Sequence, residues 1–159
     1  MADMLNDGNI KLVYAPSIAN IAAPTTTELN AGTALECFVT ADGLDVTVDE
    51  DVISIPKLCE TFSAEAPGRA KYSISLTAVR KDVPAQDTAW NLLVRNTAGF
   101  LVFRYNTTVA TAWATSQLVQ VFPGKCGERR PMKPEMNGAT KFTSKWYVSS
   151  QPTLAGVVA

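Results

Sequence analysis

The sequence contains no histidine, and this absence removes most of the familiar catalytic machinery. Serine and cysteine nucleophiles that depend on a histidine base are excluded, and so are metal sites with imidazole ligands. Carboxylates remain, in a dense run whose spacing does not match that of an EF-hand loop: Asp42, Asp45, Asp49, Glu50 and Asp51. We interpret this run as a solvated or interface-facing segment. We therefore predict that the protein is not an enzyme and uses no cofactor and no metal.

Basic residues are scarce in the first part of the chain. The first 65 residues carry 2 basic and 11 acidic side chains, whereas the remaining 94 carry 12 basic and 4 acidic ones. The whole chain is nearly neutral, with a formal net charge of −1. Because one part is acidic and the other basic, copies of the chain are electrically complementary to one another. This asymmetry favours self-assembly.

Cysteines and long apolar runs are also few. The three cysteines, Cys37, Cys59 and Cys126, form an odd set without a C-x-x-C pair. We interpret them as reduced, buried thiols in a cytoplasmic protein. The start, MADMLNDGN, has acidic residues where a signal peptide has basic ones. The longest uncharged stretch, 105–124, contains too many polar residues for a membrane span, so we expect no contact with a membrane.

A basic cluster lies late in the chain, within GKCGERRPMKP, and consists of Lys125, Arg129, Arg130 and Lys133. Glu128 and Glu135 dilute the cluster, and the overall pI is about 5.4. This pattern does not indicate sequence-specific nucleic-acid recognition. The residues alone leave open whether the cluster meets phosphates, acidic residues of a neighbouring copy or only water.

Alternation of apolar and polar residues is the dominant pattern. In KYSISLTAV, Ile74 and Leu76 alternate with Ser73 and Ser75, which predicts a half-buried strand. Six further segments show strand patterns: KLVYA at Lys11, ALECFVT at Ala34, LDVTV at Leu44, GFLVFRY at Gly99, SQLVQVF at Ser116 and KFTSKWYV at Lys141. Seven strand candidates in one domain, 1–159, predict a mainly β fold built as an antiparallel β-sandwich or barrel.

Two segments interrupt this pattern with helical signals. In PTTTELNAG, Thr25 and Glu28 have the spacing of a capping box, which predicts one or two helical turns. DTAWNLLVRN begins with a residue able to cap a helix, either Asp87 or Thr88. Its apolar stripe consists of Trp90, Leu93 and Val94. We expect this second segment to form a helix that flanks the sheet.

The stretch from Gly43 to Arg69 is too long for an ordinary hairpin connection. We therefore predict a long loop or arm over about 43–69. The uncharged C-terminal segment QPTLAGVVA is expected to complete the core or to dock on a neighbouring subunit, as part of an extended end of the domain.

The order of these features resembles that of a known family. The chain carries VYAP, APTTTELNAG, LECFVTADG, an acidic stretch, APGR before YSISLT, a tryptophan-bearing helix, GFLVFRY and VFPGKCG, in that order. This order, from about Lys11 onwards, resembles the tail tube (major tail) proteins of long-tailed, non-contractile bacteriophages. The resemblance implies a structural virion protein that forms hexameric rings, which stack into a hollow tube for the viral genome. Inner strands of neighbouring subunits would then join into one barrel.

The resemblance also implies partners and surfaces. The partners are further copies of the chain, the tape-measure, terminator and tail-tip proteins, and DNA that passes without sequence-specific binding. The expected location is the virion tail, after assembly in the host cytoplasm. A lumen should be neutral or acidic, because lysine and arginine would bind passing phosphates. Our candidates for lumen-facing residues are Glu36, Thr40, Ser73, Ser75 and Thr77. Arg104 conflicts with a non-basic lumen unless it is paired.

The charged segments are candidates for contacts between subunits or rings. We expect the acidic arm to meet the basic cluster of another copy, with apolar arm residues adding attraction. The candidate contact residues are Asp45, Asp49, Glu50, Asp51, Phe62, Lys125, Arg129, Arg130 and Lys133. Two other classes of function remain open: another virion β-sandwich, such as a tail terminator or capsid decoration protein, and a monomeric immunoglobulin-like binding module.

Overall fold

The computed structural model describes residues 3–159. Most of the regular structure within this range is β. The strands are β1 (Lys11–Ala15), β2 (Thr33–Ala34), β3 (Val39–Ser54), β4 (Glu65–Val79), β5 (Ala98–Arg104), β6 (Leu118–Cys126), β7 (Arg130–Pro131), β8 (Lys141–Val148) and β9 (Thr153–Val157). Two short α-helices, α1 (Thr26–Asn30) and α2 (Thr88–Leu92), and a 3-10 turn at Pro84–Gln86 complete the regular elements of 3–159.

All of these strands belong to one antiparallel sheet, which is not closed into a barrel within the chain. The main path through the sheet is β2-β1-β5-β6-β8-β4-β3; β7 pairs with β8, and β9 pairs with β6. The predicted mainly β, antiparallel fold is therefore confirmed. The sheet folds over, so that one half, β1-β5-β6, faces the other half, β8-β4-β3. Tyr14 of β1 meets the indole of Trp146 of β8 edge-on across this gap, with ring centroids 6.2 Å apart.

The main core fills the space between the two halves of the sheet. Leu12, Leu101 and Phe103 come from one half, and Ile74 and Leu76 from the other, and each is at most 2% exposed. Five aromatic residues pack among the aliphatic ones in this core, and they contribute a large share of its buried surface: Tyr14, Phe103, Phe122, Phe142 and Trp146. Trp146 is fully buried, and its indole N–H donates to the backbone carbonyl of Phe122 at 3.2 Å, so its polar atom is satisfied.

A second core covers the outer face of β1-β5-β6. Alternate residues of these strands, including Val13, Val102 and Val121, point away from the main core and are at most 2% exposed. They are buried by residues from connecting segments and the C-terminus: Ile18, Leu29, Trp113 and Val158. We call this outer surface of the sheet the covered face. The C-terminal segment therefore completes a core, with β9 paired to β6.

The segment predicted as a loop or arm, 43–69, is mostly strand. β3 and β4 pair from Leu44↔Leu76 to Ser54↔Glu65 and form one long hairpin, whose connection spans 55–64. Beyond Val48 the side chains of this hairpin are exposed. Because neither side of VDEDVIS is buried, its sequence shows no apolar–polar alternation, and the pattern that identifies half-buried strands is missing.

Two other local predictions need correction. ALECFVT is not one strand: Phe38 N–H and Val39 N–H both donate to the Leu35 carbonyl in a turn, so β2 ends before it and β3 begins after it. The second helix ends at Leu92, which leaves Val94 39% exposed instead of on a buried stripe. Its Asp87 makes no side-chain capping bond. The carboxylate of Asp87 instead accepts from the Arg80 guanidinium at 2.5 Å.

The three thiols are unpaired, but only one of them is buried. Cys126 packs in the main core, 3.0 Å from the Ser144 hydroxyl, and burial raises the pKa of its thiol. Cys37 and Cys59 are exposed, contrary to our interpretation of three buried thiols. Cys37 lies in the turn after Leu35, and Cys59 lies in the connection of the β3–β4 hairpin, so neither has a core to enter.

Candidate assembly surfaces

The outer face of β8-β4-β3 carries hydroxyl groups and is not covered by another element of residues 3–159. Cross-strand partners lie on the same side of a sheet, and the register pairs Thr47 with Ser73 and Thr77 with Thr143. The Thr47 and Ser73 hydroxyls are 2.8 Å apart, and the Ser75 hydroxyl is 3.4 Å from that of Thr143. We call this surface the polar face. Its central hydroxyls bond to one another, so the face presents few free donors to a passing molecule.

The five lumen candidates are not all on this face. Ser73, Ser75 and Thr77 lie on it at alternate positions of β4, with Ser75 and Thr77 half-buried and Ser73 buried, at 8% exposed. Thr40 lies at its margin, where its hydroxyl donates to the Thr77 carbonyl at 3.4 Å. Glu36 lies elsewhere, in the turn after Leu35, beside a small cavity of about 90 Å³. The turn interrupts the strand alternation on which the assignment of Glu36 depended.

Charged residues flank the hydroxyls on both sides of the polar face. On β3, Asp45 pairs with Ser75 and Asp49 pairs with Lys71 in the register. On the other side, β8 contributes Lys145, which lies opposite Ser75, and also Lys141. The three lysines were not among the site candidates from the sequence. The alternation in KFTSKWYV could have identified Lys141 and Lys145, since they alternate with the buried Phe142 and Trp146.

The basic cluster divides between two surfaces. Lys125 pairs with Tyr147 across β6 and β8, and Arg130 pairs with Thr143 across β7 and β8, so both lie on the polar face at its margin. Arg129 turns the other way. Its guanidinium donates to the Trp90 carbonyl at 2.8 Å and lies 4.2 Å from the centre of the Trp90 ring system.

Lys133, the fourth member of the predicted cluster, is exposed just beyond β7. Unlike Arg129, it does not stack on Trp90. The guanidinium carbon of Arg80 also lies over the Trp90 ring system, at 3.7 Å. Trp90 thus holds two cations close to α2 and ties the segment before β7 to the body of the domain.

The tip of the β3–β4 hairpin is apolar and exposed. Of its residues, Ile55 is 74% exposed, Phe62 is 80% exposed and Leu58 is fully exposed. The only ion pair within 55–64 joins Lys57 to Glu60 at 3.2 Å. Asp49, Glu50 and Asp51 lie at the base of this tip, on β3. A cluster of exposed apolar side chains on a projecting hairpin is typical of a protein–protein contact surface.

Arg104 is buried on the covered face and does not lie on the polar face. Its two terminal nitrogens donate to four acceptors at 2.9–3.2 Å: the carbonyls of Thr108, Thr111 and Ala112, and the side-chain oxygen of Gln117. Burial lowers the pKa of the guanidinium. The side chain packs over Trp113 at 4.9 Å and organises the connection between β5 and β6. The conflict between Arg104 and a non-basic lumen is therefore removed.

Metal-ligating side chains do not gather within residues 3–159 into a group of three or more. None of the helices in this range is long and apolar enough to cross a membrane.

Comparisons with known proteins agree with this geometry. A family model described as phage tail tube protein matches residues 1–159. A protein in the cryo-EM structure of the anti-feeding prophage baseplate, 6-fold symmetrised, has the same fold, with a TM-score of 0.59, 10% identity and 98% of each chain covered. A protein in the tail of an empty gene transfer agent particle, solved with helical refinement and C6 symmetry, gives a TM-score of 0.54 at 10% identity, covering 98% of this chain and 100% of that one. No curated protein sequence matches this chain significantly. The match along the whole chain shows that this protein belongs to the phage tail tube protein family and is a structural protein of a tail tube.

Proposed function

We propose that copies of this chain form six-membered rings, and that these rings stack into the hollow tube that conducts the viral genome to the host. The observation that carries this proposal is the uncovered polar face. The central hydroxyls of this face bond to one another, so they leave few free donors for the phosphates of DNA. The six-fold symmetry of the two particles with related folds supports the number of subunits.

The proposed lumen is the polar face, with Ser73, Ser75 and Thr77 at its centre. The lysines on this face would bind phosphates if they were free. Asp45 and Asp49 on β3 supply opposite charge on the same surface, and Lys141 is paired with Glu135, but basic residues still outnumber acidic ones on this face. Glu36 does not lie on this surface, and Thr40 lies only at its margin, so we leave Glu36 out of the proposed lining.

Ring closure is proposed to occur edge to edge. The outer edge of β3 has no partner strand within residues 3–159, although β3 spans Val39–Ser54. A long unpaired edge strand promotes uncontrolled aggregation unless it is covered or paired. Pairing with the next subunit would remove this edge and turn an open sheet into part of a closed, multi-subunit barrel.

Stacking of rings is proposed to use the hairpin tip. Ile55, Leu58 and Phe62 would bury apolar surface against the next ring, and Asp51 at the base of the tip would guide the approach. Apolar burial contributes about 25 cal/mol per Å², whereas an exposed ion pair contributes only about 0.2–1 kcal/mol. The apolar tip should therefore supply most of the attraction between rings.

The remaining partners are proposed from the role of a tail tube. Tape-measure, terminator and tail-tip proteins would contact the inside and the two ends of the tube, and DNA would pass through without sequence-specific binding. Assembly would take place in the host cytoplasm, and the finished protein would reside in the virion tail. A purely structural, non-enzymatic role fits this assignment.

The test is electron microscopy of the purified chain at high concentration, together with its mass in solution. We expect rings and tubes. A single ring that never stacks would favour a terminator, attachment only to capsids would favour a decoration protein, and a monomer at all concentrations would contradict the proposal in favour of a binding module.

A variant tests the stacking role separately. The triple substitution Ile55→Ser, Leu58→Ser and Phe62→Ser should leave the monomer folded and ring formation intact, but should prevent tubes. Met136→Ser is the matched control, because Met136 is 96% exposed outside the hairpin. Normal tubes from the triple variant would show that the tip has no role in stacking.

A further inference from the structure

The polar face has two lateral margins, and they carry opposite charges. β3 forms one margin with Asp45 and Asp49. The end of β6, with Lys125, and the short β7, with Arg130, form the other. Because β6 is paired with β5 at Lys125, only β7 has a free edge at this margin in the described part of the chain. Two strands, β8 and β4, lie between these margins, and neighbouring strands are about 4.8 Å apart, so the two sets are too far apart to pair directly within one copy. The ion pairs found within residues 3–159 involve other residues.

A ring built by repeated rotation uses two different surfaces at every junction. The β3 margin of one copy then meets the β6–β7 margin of the next. If β3 of one copy joins the free edge of β7 in the next, the two strands lie about 4.8 Å apart, which is within reach of a long lysine or arginine side chain. The charges that are unpaired in one copy would each find a partner in the neighbour.

The backbone at the β6–β7 margin offers few hydrogen-bond donors by which a particular neighbouring strand could be selected. Met132 N–H donates to the Lys141 carbonyl, so Met132 and Arg130 direct their backbone groups towards β8. Pro131, between them, lies where an N–H would point outwards, and proline has none. A neighbouring strand thus meets an incomplete row of donors at this point, and side chains must contribute to the choice of partner.

The segment that carries Arg130 is also held in place by a contact with α2. Arg129, next to Arg130, bonds to the Trp90 carbonyl and stacks on the Trp90 ring system. Since Arg129 faces Trp90, Arg130 faces the polar side with little freedom for the segment to rotate. Arg129 and Trp90 are therefore positioning residues for the margin.

We propose that Asp45 and Asp49 of one copy pair with Lys125 and Arg130 of the next copy, and that this match fixes the head-to-tail order within a ring. The proposal rests on the ring assembly proposed above. It would also neutralise Lys125 and Arg130 at each junction, and so lower the number of free cations in the proposed lumen. Lys145 lies on β8, next to the β6–β7 margin, and would be attracted by the same aspartates of the neighbour over a longer distance.

Two charge-reversed variants test the match. Variant A carries Asp45→Lys and Asp49→Lys, so both of its margins are basic. Variant B carries Lys125→Glu and Arg130→Glu, so both of its margins are acidic. Each variant alone should fail to form rings at the concentration that suffices for the parent, with at least a tenfold higher concentration needed, because two attractive pairs become repulsive at every junction.

An equimolar mixture of A and B should restore rings, because every A–B junction is attractive again. With variant B labelled with nitrogen-15, native mass spectrometry should find rings with equal numbers of A and B. The matched control is Glu50→Lys with Glu65→Lys. These residues lie on the same hairpin with the same change of charge, but on the side opposite the polar face, since they pair with Ala70 and Ser54. The control should form rings like the parent.

The outcomes separate this proposal from the one on which it rests. If the parent forms rings but A and B also form them separately, or if the folded A and B do not assemble when mixed, the proposed pairing is wrong and the ring assembly stands. If the control loses rings to the same extent as A, total charge decides and the match of margins is wrong. If the parent itself never forms rings, both proposals are wrong. Circular dichroism of each monomer establishes that the variants are folded.

Discussion

The two outer faces of the folded sheet differ in whether other segments of the chain cover them. On the covered face, alternate residues of β1, β5 and β6 are apolar, and connecting segments bury them. On the polar face, alternate residues of β4 and β8 are hydroxylated or charged, and all of them except Ser73 are exposed or half-buried. Connecting segments and the C-terminus thus cover one outer face of the sheet and leave the other open. This difference indicates that the open face serves assembly.

The largest effect is expected from Arg104, which ties the β5–β6 connection to the covered face. Arg104→Met should lower the free energy of unfolding by about 3 kcal/mol, because the charge-assisted hydrogen bonds of the guanidinium are lost. Chemical denaturation followed by circular dichroism measures this change. Arg95→Met is the control, since Arg95 is exposed. A loss below about 1 kcal/mol for Arg104→Met would show that the connection holds without it.

A smaller effect should follow from an apolar truncation on the covered face. Val121 is fully buried there, so Val121→Ala should cost about 2 kcal/mol through lost burial and a residual cavity. The same change on the exposed hairpin, Val48→Ala, should cost less than about 0.5 kcal/mol, because Val48 is 45% exposed. Equal costs for the two substitutions, measured by denaturation, would contradict the contrast between the two regions.

Part of the fold was predictable because its signals are local or follow from burial on one side. β4 alternates because its core side is buried and its other side is not, and the capping box at Thr25 and Glu28 depends on four consecutive residues. The long β3–β4 hairpin was predicted as a loop because its distal half is exposed on both sides. A strand without a core side has no apolar–polar period to detect.

The assembly surfaces were less predictable, because they depend on register. Nothing in GKCGERRPMKP indicates that Arg129 turns towards Trp90 while Arg130 lies on the polar face. That division follows from the pairing of β7 with β8 and from the position of α2. Glu36 was misplaced for a different reason. The turn at Leu35 interrupts the strand, so the apolar–polar alternation does not determine where Glu36 lies.

A moderate effect is expected at the start of α1, which helps to cover the covered face. The Thr25 hydroxyl accepts from the Glu28 N–H at 3.3 Å, and the Glu28 carboxylate accepts from the Thr25 N–H at 2.8 Å. Thr25→Ala should therefore cost about 1 kcal/mol of stability. If thermal unfolding shows no change, the capping box does not hold this helix.

The same cap should make stability depend on pH. The backbone N–H groups of Thr25 and Ala19 hold the pKa of Glu28 below its ordinary value. A lowered pKa in the folded state gives stability that is present above the ordinary glutamate pKa and is lost as the pH falls through the lower, folded value. Glu28→Gln should remove this part of the pH dependence, so unfolding curves of parent and variant should converge in acid. Curves that stay parallel would contradict the assignment.

The smallest effect on stability is expected at the centre of the polar face. The Ser75 hydroxyl has one partner, Thr143, at the long distance of 3.4 Å, so Ser75→Ala should change the free energy of unfolding by less than about 0.5 kcal/mol. A larger loss would mean that the hydroxyls hold the sheet together. The polar face would then be a structural element of the monomer, and its lack of cover would need another explanation.

Ser75→Lys separates stability from function at this position. The side chain of residue 75 points away from the core, so the variant should fold and form tubes, but each subunit would add a free cation to the proposed lumen. Tubes of the variant should then retain DNA fragments at low salt and release them as salt rises, because binding through phosphates weakens steeply with salt. Ser75→Glu is the control of equal disruption and should retain no DNA. If Ser75→Lys tubes bind no more DNA than Ser75→Glu tubes, Ser75 does not face the channel, and the polar face must lie on the outside of the tube or between rings.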